Sequence, residues 1–158
     1  MYTLNVRPIG SVKASEAGMQ IVLKEEYIPA LQELHGFSHL NIIWWFSEVS
    51  DEEGRHNLEV KQPYKWSPAI MGVFATRSPF RPNPIALTSV QVNVIDTENG
   101  VIHIPYIDAH DGTPILDIKP YTPSLDRVES PKTPEWCRHW PKSLEQSADF
   151  DWQDEFQF

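Results

Sequence analysis

The chain has 158 residues, and its 41% hydrophobic and 11% aromatic content mark a folded chain with a real core rather than a disordered one. A formal net charge of -9 excludes nucleic-acid binding driven by charge over the whole surface, and leaves only a local basic patch for such a role. The single cysteine, Cys137, excludes an internal disulfide and a Cys-rich zinc site. No apolar run approaches the roughly 20 residues of a membrane helix. The start MYTLNVRPIGSV lacks the layout of a signal peptide, so a cytoplasmic protein with no membrane partner is expected.

Residues 4–12, LNVRPIGSV, predict a first strand, with Pro8 marking an edge or bulge. After the short turn KASEAG, residues 19–23 predict a second. Glu25 to Leu34 reads as one or two helical turns, with Pro29 at the first helical position and Gly36 at the stop. Phe37 to Phe46, FSHLNIIWWF, is the most apolar run and predicts a strand buried on both faces. Ser50 to Ser67 is polar and reads as a long exposed excursion.

Gly72 to Val90, GVFATRSPFRPNPIALTSV, then reads as strand, rigid loop and strand. Pro79, Pro82 and Pro84 restrict their own φ and push Ser78, Arg81 and Asn83 toward extended backbone. Arg77 and Arg81 are thereby held with little ordering cost at binding, as a binding loop for a charged small molecule requires. The alternative is a stiff edge connection whose arginines pair with surface acids.

Ser89 to Asp96 alternates as a strand, Thr97 to Gly100 forms a hairpin turn, and Val101 to Tyr106 returns. A polar turn from Ile107 to Pro114 leads to a last strand over Ile115 to Lys119. The strands predict a mainly β fold: a single-sheet antiparallel β-barrel with a short helical turn. Beyond Val128 the chain turns acidic and aromatic, with Trp136, Trp140, Phe150, Trp152, Phe156 and Phe158. The expected domains are a barrel over 1–128 and a tail over 129–158 that docks on the barrel or on a second copy, rather than a solvated tail.

No phosphate-cradling glycine loop and no nucleophile elbow is present. The six histidines, His35, His39, His56, His103, His110 and His139, show no metal-ligand spacing, so no metal is expected. Cys137, beside Arg138 and His139, is read as a packed or exposed non-catalytic thiol, the alternative being an activated thiolate. His39 is a pocket histidine or, alternatively, a general base. Ile107 to Gly112 gathers two carboxylates and an imidazole in one turn, which is Asx-rich and could also hydrogen-bond a heterocycle. Asp117 and Lys119 read as a salt-bridged polar face.

GVFATRSPFRPNPIALTSV, FSHLNIIWWF and DGTPILDIKPY together resemble the TsaA-like family, from about Val6 to Tyr121. Its best-known members are S-adenosylmethionine-dependent tRNA methyltransferases that act on the exocyclic amine of threonylcarbamoyladenosine in threonine tRNA. The resemblance implies a single-sheet barrel, a homodimer and a cofactor bound near the subunit interface. Position by position, it implies that Glu48 and Val49 line the cofactor site. Arg77, Ser78, Arg81 and Asn83 surround the cofactor's methionine part and the acceptor. Leu87 to Ser89 form the strand that follows, and Ile107, Asp108, Ala109 and His110 cradle the adenosine through their backbone. Arg81, with His39 and Asp117 as candidate bases, completes the expected catalytic set.

The chain departs from the family pattern in two places. The 12–19 connection is short where longer members carry a basic loop, and an acidic tail stands where longer bacterial members carry a further domain. Three functions follow: methylation of modified adenosine in tRNA, methylation of a small metabolite on the same fold, and a non-catalytic module that senses a nucleoside-like ligand.

Overall fold

Short strands separated by turns make up most of the regular structure, as the alternating and β-branched runs require. The computed structural model describes residues 4–16 and 18–157. Ala17 of the expected 13–18 turn and Phe158 of the aromatic tail lie outside the described residues, as do the first three residues of the N-terminal stretch. The strands are β1 (Gly10–Ser15), β2 (Gly18–Leu23), β3 (His39–Trp45), β4 (Glu59–Lys61), β5 (Ile70–Gly72), β6 (Ile85–Gln91), β7 (Val94–Asp96), β8 (Val101–Ile104) and β9 (Pro114–Pro120). Short helices are α1 (Glu52–Arg55), α2 (Pro123–Asp126), α3 (Leu144–Ala148) and α4 (Trp152–Glu155). The chain divides into two compact units, Met1–Asp51 with Asn83–Arg127, and Glu52–Pro82 with Val128–Phe158.

The first unit holds a seven-stranded antiparallel sheet in the order β6-β3-β9-β1-β2-β8-β7. It corrects the expectation of a barrel, because β6 and β7 are its edges and no ladder joins them. The cause lies in the stretch 89–96, read as one strand. It changes neighbours at Val92–Asn93: the Val92 N–H donates to Ser38 O at 2.9 Å, and the Asn93 N–H donates to His103 O at 2.9 Å. The chain therefore turns the corner from one edge to the other without the two edges pairing, and closure needs a continuous ladder.

Four element readings shift as well. The first strand begins at Gly10, beyond Pro8, which has no N–H for a ladder. The helical segment is a 3-10 turn over Glu25–Leu31 with Pro29 inside it rather than at its start. β3 buries one face, not two: Leu40, Ile42 and Trp44 are buried while His39, Asn41, Ile43 and Trp45 are only half-buried. The apolar run after β5 is a 3-10 turn, Val73–Ala75, because the strand ends at Gly72.

The inner face of the sheet carries the core, with Val12, Ile21, Leu40, Ile42, Trp44, Val90, Ile102 and Ile115 in one cluster. The Trp44 indole donates to Thr88 Oγ1 at 3.0 Å, which satisfies its N–H within the sheet. A bulge sets the facing of β9. Ile43 pairs with Asp117 but Trp44 pairs with Ile115, so Leu116 is the extra residue. Ile115 thus joins the core while Asp117 points outward with Ile43.

In the second unit, the excursion expected to be exposed folds back on the tail. Pro63, Tyr64 and Ser67 are buried. Tyr64 stacks on Trp136 at 5.5 Å and 11°, and Trp140 meets it edge-on at 4.8 Å. The polar flanks of this stretch hide the buried Tyr64 from a compositional reading.

Gly10 sits between β2 and β9, and a Cβ there would lie 2.3 Å from the Val22 carbonyl oxygen. A backbone clash of this kind cannot be relieved by a rotamer change. Gly10→Ala is expected to lower the unfolding free energy by about 2 to 3 kcal/mol in urea titration; a change under about 0.5 kcal/mol would show that β1 and β2 can separate freely.

Candidate functional site

The outward face of β3 is where the first unit places several of the expected residues. Antiparallel register sets Asn41 between Ser89 of β6 and Lys119 of β9, and Ile43 between Leu87 and Asp117. Residues directly opposite share a face, so Leu87, Ser89 and Asp117 stand together outside the core. His39 lies on the same face, with Nδ1 2.9 Å from Ser38 Oγ and its ring edge-on to Tyr121.

A polar relay runs across this face. Ser89 Oγ donates to Asn41 Oδ1 at 2.6 Å, and Asn41 Nδ2 donates to Asp126 Oδ1 at 3.0 Å. The second oxygen of Asp126 accepts the Thr122 N–H at 2.7 Å. An ionised carboxylate only accepts, so Asp126 fixes which end of the Asn41 amide faces Ser89. The Ser89 hydroxyl therefore spends its proton inward and offers lone pairs outward. Asn41 and Asp126 were not singled out from the sequence; the half-polar phase of β3 was the available signal for Asn41.

Asp117 is already engaged. It takes the Lys119 ammonium at 2.8 Å and the Ile118 N–H at 2.9 Å. The hydrogen bond to Asp117 holds the Lys119 amine above its usual pKa. This is the salt-bridged face expected from the alternation of 115–119.

Two expected cofactor segments meet in the first unit. Glu48 follows β3 in a 3-10 turn, Ser47–Val49, and its carboxylate lies 3.4 Å from His110 Nε2. Both side chains are largely exposed. Around them, Val49 is half-buried, Ile107 is in the core and Ala109 packs against it, so 107–110 presents mainly backbone and the side chains of Asp108 and His110. The turn is stitched by Ala109 N–H to Ile107 O at 2.9 Å and Thr113 N–H to His110 O at 3.1 Å. Tyr106 Oη lies 3.4 Å from Asp108 Oδ1; partial burial, then this neighbouring carboxylate, push its phenol above the usual value. Asn83 opens the return into β6, its carbonyl accepting the Ile85 N–H at 2.7 Å.

The arginine loop belongs to the second unit. Arg81 turns inward on its own backbone: Nε donates to Ser78 O at 2.8 Å, and Nη2 donates to Thr76 O at 2.7 Å and Val73 O at 3.2 Å. Ser78 N–H donates to Thr76 Oγ1 at 3.1 Å, and Ser78 Oγ accepts the Phe80 N–H at 3.3 Å. A guanidinium suits this task because its fixed fork carries five donors. Arg77 is exposed. Burial pushes the Tyr64 phenol above its usual pKa, and the Arg77 backbone with the charges of Arg77 and Arg81 act in the opposite direction. Of the two cations, then, Arg81 shapes the loop and Arg77 is the more exposed.

Cys137 is buried with Sγ 3.4 Å from Pro134 O, as a packed thiol. Among the described residues no group of three or more His, Cys, Asp or Glu is arranged to hold a metal ion. Nor does any described helix have the length and apolarity to cross a membrane.

An open antiparallel sheet with only short helices defines a mainly β fold. The chain belongs to the tRNA-methyltransferase O N-terminal domain family, which matches residues 3–127. It is 33% identical, over 78% of its own length and 93% of the relative's, to an S-adenosyl-L-methionine-binding protein of Archaeoglobus fulgidus. It is 37% identical to the tRNA (adenine(37)-N6)-methyltransferase of Escherichia coli over 77% of its length, and covers 52% of that relative, about half. The crystal structure of TrmO from Pseudomonas aeruginosa superposes with a TM-score of 0.63 at 29% identity, over 83% of this chain and 62% of that one.

Arg81→Ala removes one cation and three carbonyl contacts at once. It is expected to cost about 2 kcal/mol of stability in chemical denaturation, with Arg81→Lys restoring only part, since an ammonium cannot reproduce the fork. Full rescue by lysine would show that charge, rather than the fork, holds the loop.

Proposed function

We propose that the protein is an S-adenosylmethionine-dependent methyltransferase acting on the exocyclic nitrogen of threonylcarbamoyladenosine in threonine tRNA, working as a homodimer in the cytoplasm. Membership of the family and the names of the relatives support the cofactor and the tRNA acceptor. The structural observation that carries the reading is the approach of Glu48 to His110 at 3.4 Å, which brings two segments expected to bind the nucleoside to one place.

The residues present suit such a cofactor. The exposed pair Glu48 and His110, and the backbone of Ile107, Asp108 and Ala109, offer hydrogen-bond partners for a ribose and an adenine edge. Val49 adds a half-buried apolar surface. Arg77, with Ser78 and Asn83 beside it in the sequence, holds a carboxylate by a charge-assisted fork. Leu87 and Ser89 supply an apolar contact and a hydrogen-bond acceptor on the outward face of β6.

The cofactor supplies a methyl group on a sulfonium. The protein's contribution is position: an in-line displacement gains most from holding donor and acceptor in register, and needs no metal. Asp117 is committed to Lys119 and Ile118, so a proton on the acceptor nitrogen falls to His39, whose Nδ1 is tied to Ser38 Oγ. Arg81 acts by shaping the loop that carries Arg77. The net charge of -9 favours one second reading, a small-molecule acceptor methylated on the same fold.

Arg77→Ala is expected to weaken S-adenosylmethionine binding by about 2 kcal/mol in calorimetry; unchanged affinity would assign Arg77 to the acceptor. Mass spectrometry of threonine tRNA nucleosides from a deletion strain is expected to show loss of the N6-methyl group. Its persistence would sink the tRNA reading in favour of a small acceptor, and tight cofactor binding without turnover on any acceptor would favour a sensing module.

A further inference from the structure

The Asp126–Asn41–Ser89 relay joins three elements of the first unit, and the proposed chemistry uses only its last member. Asn41 of β3 lies directly opposite Ser89 of β6 on one side and Lys119 of β9 on the other. Lys119 is taken by Asp117 at 2.8 Å, so it does not compete for the Asn41 amide. Asp126 is set by α2. Its own N–H and that of Leu125 donate to Thr122 O, at 2.9 and 3.0 Å, and its carboxylate takes the Thr122 N–H at 2.7 Å.

The relay has a direction, and donor and acceptor chemistry fixes it. The Thr122 N–H only donates, so the side chain at position 126 must offer it an oxygen. The other oxygen of Asp126 also only accepts, so Asn41 turns its Nδ2 toward it, at 3.0 Å. That leaves Asn41 Oδ1 for Ser89, and an amide oxygen only accepts. The Ser89 hydroxyl donates to it at 2.6 Å, shorter than the usual O–H···O bond. Turning the proton outward would leave Asn41 Oδ1 without that bond, and an unmade bond is the costlier outcome.

We propose that Asn41 and Asp126 are positioning residues that make Ser89 a hydrogen-bond acceptor and nothing else, so that the outward face of β6 selects a ligand group carrying N–H or O–H at that point. An ammonium, an exocyclic amine or a ribose hydroxyl satisfies it, and S-adenosylmethionine offers each of these. A carboxylate or a ring nitrogen without hydrogen does not. This rests on the reading of Ser89 as a cofactor contact.

One substitution inverts the relay. In Asp126→Asn the new side chain still gives its oxygen to the Thr122 N–H, which leaves its amide nitrogen to face Asn41. Asn41 then turns over and presents Nδ2 to Ser89, whose hydroxyl accepts inward and donates outward. Adding Asn41→Asp to Asp126→Asn restores the direction, because the carboxylate introduced at position 41 accepts from both neighbours and Ser89 again donates inward. Both variants keep the same three contacts, so either would serve a role confined to stapling α2 to the sheet.

The test is calorimetry with S-adenosylmethionine on the full chain, with thermal unfolding of each variant alongside. Asp126→Asn is expected to weaken binding about tenfold, and Ser89→Ala by about the same factor. Asp126→Asn with Ser89→Ala is expected to bind no more weakly than Ser89→Ala alone, because position 126 acts through Ser89. Asn41→Asp with Asp126→Asn is expected to return affinity to within about threefold of the wild type. Unchanged affinity in Asp126→Asn overturns the proposal. So does a loss that persists undiminished in the Ser89→Ala background, or one that the paired exchange leaves in place while unfolding at the wild-type temperature. Where the paired variant fails to fold, the cycle of Asp126→Asn with Ser89→Ala decides alone. If Ser89→Ala leaves affinity unchanged while Arg77→Ala weakens it, the proposal falls and the cofactor reading of the protein stands; if the wild type does not bind S-adenosylmethionine, both fall.

Discussion

The register of β3 is the constraint on which the first unit depends. With Leu40, Ile42 and Trp44 turned into the core, Asn41 and Ile43 face outward, and their partners on β6 and β9 follow. A slip of one residue would bury Asn41 and expose Ile42 and Trp44. The inward face is held by apolar burial and by the Trp44 indole on Thr88, so the outward polar face is a consequence of the core rather than an independent device. The relay Asp126–Asn41–Ser89 stands on that register: it needs Asn41 opposite Ser89 and α2 close enough for its carboxylate to orient the amide.

In the second unit the comparable constraint is the aromatic cluster. Ring–ring contacts of this kind contribute about 0.5 to 1.5 kcal/mol each beyond area burial. Several share Tyr64, so the cluster tightens around one side chain instead of spreading over a broad core. The neighbouring loop is stiffened by different means. Prolines restrict φ, and Arg81 spends its guanidinium on three carbonyl oxygens. Both devices work before any ligand arrives, which is how a loop presents a cation at low ordering cost.

Much of the fold was legible in period and punctuation. The strands over 37–46 and 101–106 and the Asn99-Gly100 turn follow from local rules, though not the one-sided burial of β3. Three features were not. The corner at Val92–Asn93 looks like continuous strand, because partner exchange leaves side-chain alternation intact. The bulge at Leu116 adds one residue to one strand of a pair, and only the pairing reveals it. The burial of Tyr64 depends on residues more than seventy positions away, and its own neighbours are polar. Of the two arginines, spacing could not tell which faces outward, because that choice is made by the carbonyls that Arg81 finds at Val73, Thr76 and Ser78.

The sequence by itself determined the class of fold, the family, and the cast: a proline-braced loop with two arginines, an apolar central strand, an acid-rich turn, an aromatic tail. These are local or motif-level properties, carried by residue type and order. The tertiary structure alone decided that the sheet stays open, that Glu48 meets His110, that Arg81 grips its own loop's carbonyls, and that the tail's rings converge on Tyr64. Each is a long-range pairing or a competition between equivalent groups, settled by which partners lie within hydrogen-bond or van der Waals reach after the chain has folded.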